Sequence, residues 1–124
     1  MTINHLNLPV SNVAETITFF ESYFDFKCLE TKGDNMIAVL RNPADFILVL
    51  MSSKMSKTDN TTYPDAFHLG FILDSSEKVN ELFSKLKAGG IQLEREPQKI
   101  RNSFGFYFYF GELFIEVAHY LEQS

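Results

Sequence analysis

The sequence predicts an α+β protein built from two βαβββ modules, and three observations carry that expectation. An alternating run, a helical run and three further alternating runs follow one another in residues 1–51, and the same order restarts at residue 65. Asn4-His5-Leu6 recurs 63 positions later as Phe67-His68-Leu69, each triplet opening a strand just ahead of a helix. Phe46-Ile47-Leu48 lines up with Phe114-Ile115-Glu116 at an offset of 68. The competing reading is one unrelated α+β domain whose halves match by chance.

Each element follows from its own pattern. Asn4 to Val10 alternates, with Leu6, Leu8 and Val10 on one face and Ile3, His5 and Asn7 on the other. Ser11 or Asn12 can cap the helix that follows, whose stripe of Val13, Ile17, Phe20 and Phe24 runs to Asp25. Strands are predicted at Phe26–Thr31, Met36–Arg41 and Phe46–Met51, separated by Lys32-Gly33-Asp34-Asn35 and Asn42-Pro43-Ala44-Asp45. Residues 52–64 are polar and read as a connection. In residues 65–124 the expected strands are Phe67–Leu73, Ile91–Glu94, Phe104–Phe110 and Leu113–Ala118. A helix capped by Asp74 or Ser75 carries Val79, Leu82, Phe83 and Leu86 and stops at Gly89-Gly90. The whole of 1–124 is therefore read as a single domain of two modules.

Composition excludes several functions. A chain of 124 residues that is 45% apolar, with thirteen Phe, can build a core without disulfides or zinc, and disorder is excluded. A net charge of −5 and no basic cluster argue against nucleic acid as a partner. Cys28 is the sole cysteine, which fits a reducing compartment and makes the cytoplasm the expected location. No apolar stretch reaches a membrane span, and the N-terminus lacks the pattern of a signal peptide.

Strand parity separates core from candidate site. Phe67, Leu69, Phe71 and Leu73 form an apolar face, which leaves His68, Gly70 and Ile72 on the other. The even positions of 104–110 are all Phe, whereas the odd ones are Gly105, Tyr107 and Tyr109. In the last strand Glu116 lies opposite the row of Leu113, Ile115 and Val117. A carboxylate at such a position is costly unless it is paired, protonated or bound to a cation. His5, His68 and Glu116 thus emerge as two imidazoles and one carboxylate, the donor set of a facial triad on a divalent metal. The alternative is a hydrogen-bonded His–Glu cluster in a metal-free pocket. His119, three residues past Glu116, faces away from that site, and Cys28 reads as a strand thiol without chemistry.

In this order, Asn4-His5-Leu6, the helix with Phe19-Phe20, Phe67-His68-Leu69-Gly70-Phe71, and Gly105-Phe106-Tyr107-Phe108 leading to Phe114-Ile115-Glu116-Val117 resemble the vicinal oxygen chelate superfamily. That group includes glyoxalase I, extradiol dioxygenases, fosfomycin-resistance thiol transferases and bleomycin-resistance proteins. The resemblance spans nearly the whole chain. It implies a funnel-shaped sheet, a homodimer, a small-molecule ligand, and a metal held by His5, His68 and Glu116, with Fe, Mn, Ni, Co or Zn all acceptable to the donors. It also implies a Lewis-acid enzyme of the lyase, dioxygenase or thiol-transferase type. The alternative is a metal-free protein that sequesters its ligand, as bleomycin-resistance proteins do. Tyr107 falls near the catalytic tyrosine of the dioxygenases, and Arg101, Tyr109 and Phe114 are candidate substrate contacts.

The departures narrow the choice. Glyoxalase I has a further ligand on the last strand of its first module, where this chain is expected to have Leu48. No histidine lies between Glu94 and Glu116 to serve as the dioxygenase acid–base, and the tail after Glu116 lacks the basic residue of the fosfomycin enzymes.

Overall fold

The computed structural model describes residues 1–55 and 63–121. The predicted connection therefore lies partly outside the described residues, as do Glu122–Ser124. The chain divides into two compact units, Met1–Thr62 and Tyr63–Ser124.

The first unit runs β1 (His5–Val10), α1 (Val13–Tyr23), β2 (Lys27–Lys32), β3 (Ile37–Arg41) and β4 (Ile47–Ser52), closed by a short 3-10 turn at Ser53–Met55. Its sheet has the order β1-β4-β3-β2, parallel between β1 and β4 and antiparallel elsewhere. Asn12 caps α1 through its side chain, which accepts from the Glu15 amide at 3.0 Å. Leu8, Val10, Ala38, Leu40, Leu48 and Leu50 are buried together with Phe19, Phe20 and Phe24 of the helix and its C-terminal flank. The turn after β2 takes positive φ at Gly33, Asp34 and Asn35, residue types that tolerate it. In the turn after β3 the Asn42 carboxamide oxygen accepts from the Ala44 and Phe46 amides, both at 3.0 Å.

The second unit repeats this plan with β5 (Leu69–Ile72), α2 (Ser76–Ala88), β6 (Gln98–Ile100), β7 (Ser103–Phe110) and β8 (Leu113–Tyr120), in the order β5-β8-β7-β6. Ser75 caps α2 by accepting from the Lys78 amide at 3.1 Å. Val79, Phe83 and Leu86 of α2 are buried along with Phe106, Phe108, Leu113, Ile115 and Val117 of the sheet. Gly105 is required where β7 meets β8. A Cβ there would run into the Val117 carbonyl oxygen and lie 2.8 Å from the Ala118 Cα.

Two expectations are corrected. Ile91–Glu94 is not a strand, because the Ile91 amide donates to Leu86 O at 3.0 Å and is used in ending α2, with Gly90 at a φ of 85°. The short strand is Gln98–Ile100 instead, set by a hairpin in which Arg101 and Asn102 form the turn and Ile100 pairs with Ser103. The second correction concerns equivalence between the units. With His5 matched to His68, the ladders place Asn7 beside Val49 and Gly70 beside Glu116. The first-unit counterpart of Glu116 is thus Val49, whereas Leu48 is buried on the helix side at 2% exposure. The offset between the two last strands is 67, and the local match of Phe-Ile-Leu to Phe-Ile-Glu was one residue out of register.

Candidate functional site

The second unit gathers most of the predicted site on the sheet face turned away from α2. His68 sits just before β5, and its Nδ1 lies 3.0 Å from Ala66 O. A carbonyl oxygen only accepts, so the proton is on Nδ1, and in the neutral ring Nε2 presents a lone pair. That Nε2 is 3.3 Å from Glu116 Oε1. Two acceptors facing each other at this distance repel unless a proton or a cation lies between them. Glu116 is half-buried at the centre of β8, flanked by the buried Ile115 and Val117.

Neighbouring strands complete the surroundings of the carboxylate. Across the ladder on one side is Gly70, where a Cβ would stand in ordinary contact, 3.7 Å from Glu116 Oε1. On the other side is Tyr107. Its phenol is pushed up from the ordinary tyrosine value, first by burial and then by the Glu116 carboxylate as acceptor and as neighbouring charge, with Arg101 opposing. Phe114 stacks between Tyr107, at 5.3 Å and 25°, and Tyr109, at 4.6 Å and 19°. The His68 ring meets Phe114 edge-on at 5.7 Å. A groove of about 600 Å³ joins Glu116 and Tyr107 to Ser103, Tyr120 and Arg101.

Of the sequence-predicted residues, then, the structure brings together His68, Glu116, Tyr107, Tyr109, Phe114 and Arg101. His5 belongs to the first unit, at the start of β1, and is exposed. Its Nδ1 is 3.3 Å from Asn4 Oδ1, which leaves Nε2 available in the same tautomer as at His68. Among the described residues no group of three or more His, Cys, Asp or Glu side chains forms a metal cluster. Still, the pair at His68 and Glu116, one imidazole with its proton tied elsewhere and one carboxylate, fits a divalent cation in donor type. His119 is engaged elsewhere, with Nδ1 2.9 Å from Leu73 O. The Cys28 thiol is pushed up by burial and by Glu21, which leaves it a poor nucleophile. Gly70 was not singled out from the sequence, although a glycine inside a strand on the parity of His68 was the available signal.

A family model described as the Glyoxalase/Bleomycin resistance protein/Dioxygenase superfamily matches residues 2–115. The chain belongs to this superfamily. Among solved structures of the glyoxalase type, a possible glyoxalase from Bacillus cereus is 36% identical, with 94% of this chain and 97% of that one covered at a TM-score of 0.79. The genomically encoded fosfomycin resistance protein FosX from Listeria monocytogenes is 20% identical, covering 96% and 93%, with a TM-score of 0.77. Lactoylglutathione lyase from Agrobacterium tumefaciens is 16% identical, covering 95% and 92%, with a TM-score of 0.73. The latter two likenesses bear on the glyoxalase fold alone. No curated protein matches the chain. Among the described residues no helix is long and apolar enough to cross a membrane.

Proposed function

We propose that the protein is a divalent-metal-dependent enzyme acting on a small molecule with two adjacent oxygens, with His5, His68 and Glu116 as ligands. The observation that carries this reading is the approach of His68 Nε2 to Glu116 Oε1 at 3.3 Å while the imidazole proton is held on Nδ1 by Ala66 O. A cation held by these donors supplies Lewis acidity toward the adjacent substrate oxygens.

The chain's own residues supply the rest. Tyr107, like any tyrosine, keeps its phenolic proton at neutral pH, and the upward push from burial and Glu116 holds that proton more firmly, so it serves as a hydrogen-bond donor toward a developing oxyanion rather than as a base. Tyr109, exposed and backed by the stacked Phe114, offers a flat face to the substrate, and Arg101 supplies a cation among the residues that line the groove with Glu116 and Tyr107. The reaction belongs to the lyase, dioxygenase or thiol-transferase type. Two fold neighbours, a lactoylglutathione lyase and a fosfomycin resistance protein, support small-molecule chemistry. We also infer a single functional domain assembled as a homodimer.

The test is the metal content of the purified protein beside His5→Ala, His68→Ala and Glu116→Ala. The expected result is near-stoichiometric metal in the parent, with affinity reduced on the order of 100-fold in each folded variant. Metal retained in all three variants sinks the assignment. The second reading, a metal-free protein that sequesters its ligand, is favoured by the stacked Tyr107–Phe114–Tyr109 surface. It gains support if metal-free protein binds aromatic ligands and Phe114→Ala abolishes that binding.

A further inference from the structure

The first-unit sheet carries a row of basic side chains that the reading above leaves unused. The ladders pair His5 with Ile47, Ile47 with Arg41, and Arg41 with Lys27. Directly opposed residues share a face of the sheet, so His5, Arg41 and Lys27 stand on the side away from α1. Exposure agrees, since Ala38 and Leu40 are fully buried while Arg41 and Lys27 are exposed. Successive strands lie about 4.8 Å apart, so the Arg41 backbone is only about 10 Å from that of His5.

This arrangement is costly as it stands. Like charges directly opposite each other across an antiparallel pair destabilise it. Among the described residues neither Lys27 nor Arg41 has a carboxylate at ion-pair distance, in a chain with 16 acidic residues to 11 basic ones. The nearby Glu21 carboxylate is engaged, with Oε2 accepting from the Cys28 amide at 2.9 Å. Glu30 shares the face one row further along, opposite Val39, and makes no ion pair with either base. The second unit has no such feature, because the position matching Arg41 is Tyr109 and β6 does not extend alongside it.

We propose that Arg41 and Lys27 form an oxyanion-binding site that anchors a carboxylate or phosphoryl group of the substrate beside His5. The inference rests on the reading that the His5 face is where substrate lies. Arg41 offers the planar fork that grips two oxygens at once, and Lys27 adds a second charge. An arriving oxyanion would relieve the repulsion between them. The substrate is therefore a small anion bearing adjacent oxygens.

The full chain, labelled with 15N, is titrated with inorganic phosphate and separately with acetate while backbone amide shifts are followed. Saturable shifts confined to the neighbourhood of Lys27 and Arg41 are expected. The stronger response identifies the phosphoryl or the carboxylate as the preferred group. Arg41→Gln and Lys27→Gln, both at exposed positions, should keep a dispersed spectrum and bind about tenfold more weakly. Arg41→Lys should recover part of the loss. Shifts spread evenly over the exposed lysines, or affinity unchanged in both Gln variants, overturn the proposal. Metal content is measured on the same samples. Metal-loaded protein without anion binding defeats this inference and leaves the metal reading standing, whereas anion binding in protein that takes up no metal does the reverse.

Discussion

On the face turned away from its helix, the first unit carries Ile47, Val49 and Val39 between His5 and Arg41, where the matching ladder positions of the second carry Phe114, Glu116 and Tyr107 between His68 and Tyr109. One topology thus presents an aliphatic face with a cationic end in one unit and an aromatic face around a carboxylate in the other. The histidine is the common element, and it is oriented by different means. His5 leans on a side chain, Asn4 Oδ1 at 3.3 Å, whereas His68 leans on a backbone carbonyl, Ala66 O at 3.0 Å. A repeat can therefore keep one histidine twice while its two copies present different chemistry around it.

Gly105 and Ile37 are the sharpest contrast, because they occupy the same ladder position, opposite Ala118 and Met51 respectively. Ile37 is accommodated, but a Cβ at 105 collides with backbone of β8, which cannot move aside as a flexible side chain could. Gly105→Ala should cost about 3 kcal/mol, and Ile37→Ala no more than about 1–2 kcal/mol at its half-buried site. Urea denaturation of both variants measures the difference. Equal losses would mean that the two ladders are not constrained differently.

How much of this was legible beforehand follows from the same physics. Parity identified the face of Glu116 and Tyr107 because the opposite faces of β7 and β8 are apolar, and a carboxylate among them has to be explained. The helices were legible through their caps. The strand β6 was not, since Gln98-Lys99-Ile100 has no apolar period and is placed by a two-residue turn rather than by its own composition. The match of Leu48 to Glu116 failed because string similarity ignores ladder register, which alone determines the face of a residue. Arg41 and Lys27 escaped notice for a related reason. They are 14 positions apart and meet only through strand pairing.

The register also says how the two faces could be made more alike. Val49→Glu would place a carboxylate next to Asn7 and on the face of His5, as Glu116 is placed next to Gly70. A charged group between Val39 and the half-buried neighbours on β4 should cost about 1–2 kcal/mol in the metal-free protein. If His5 is a ligand, the added donor should raise metal affinity by about tenfold and recover stability when metal is present. Thermal melts with and without Mn(II) report both effects. A loss of stability that metal does not offset would remove His5 from the ligand set.

The smallest effect expected lies in the lead-in to His68, where the second unit has an aromatic stack and the first has Asn4. Tyr63 stacks on Phe67 at 4.9 Å and 9°, and the Phe67 amide donates to Pro64 O at 3.0 Å, which fixes the segment containing the Ala66 carbonyl. Burial, helped by the Glu112 charge, pushes the Tyr63 phenol up from 10.0 to about 12. The folded chain therefore holds this proton more tightly than the unfolded one. The stability it contributes is intact below pH 10 and is lost as pH rises from there toward about 12. The ring is half-buried, so solvent screening limits the loss to about 1 kcal/mol. Tyr63→Phe removes the ionisable group and should flatten stability across that window while leaving the first unit's amide spectrum unchanged. An absorbance titration in which Tyr63 ionises with the exposed tyrosines would show that the stack does not hold the approach to His68.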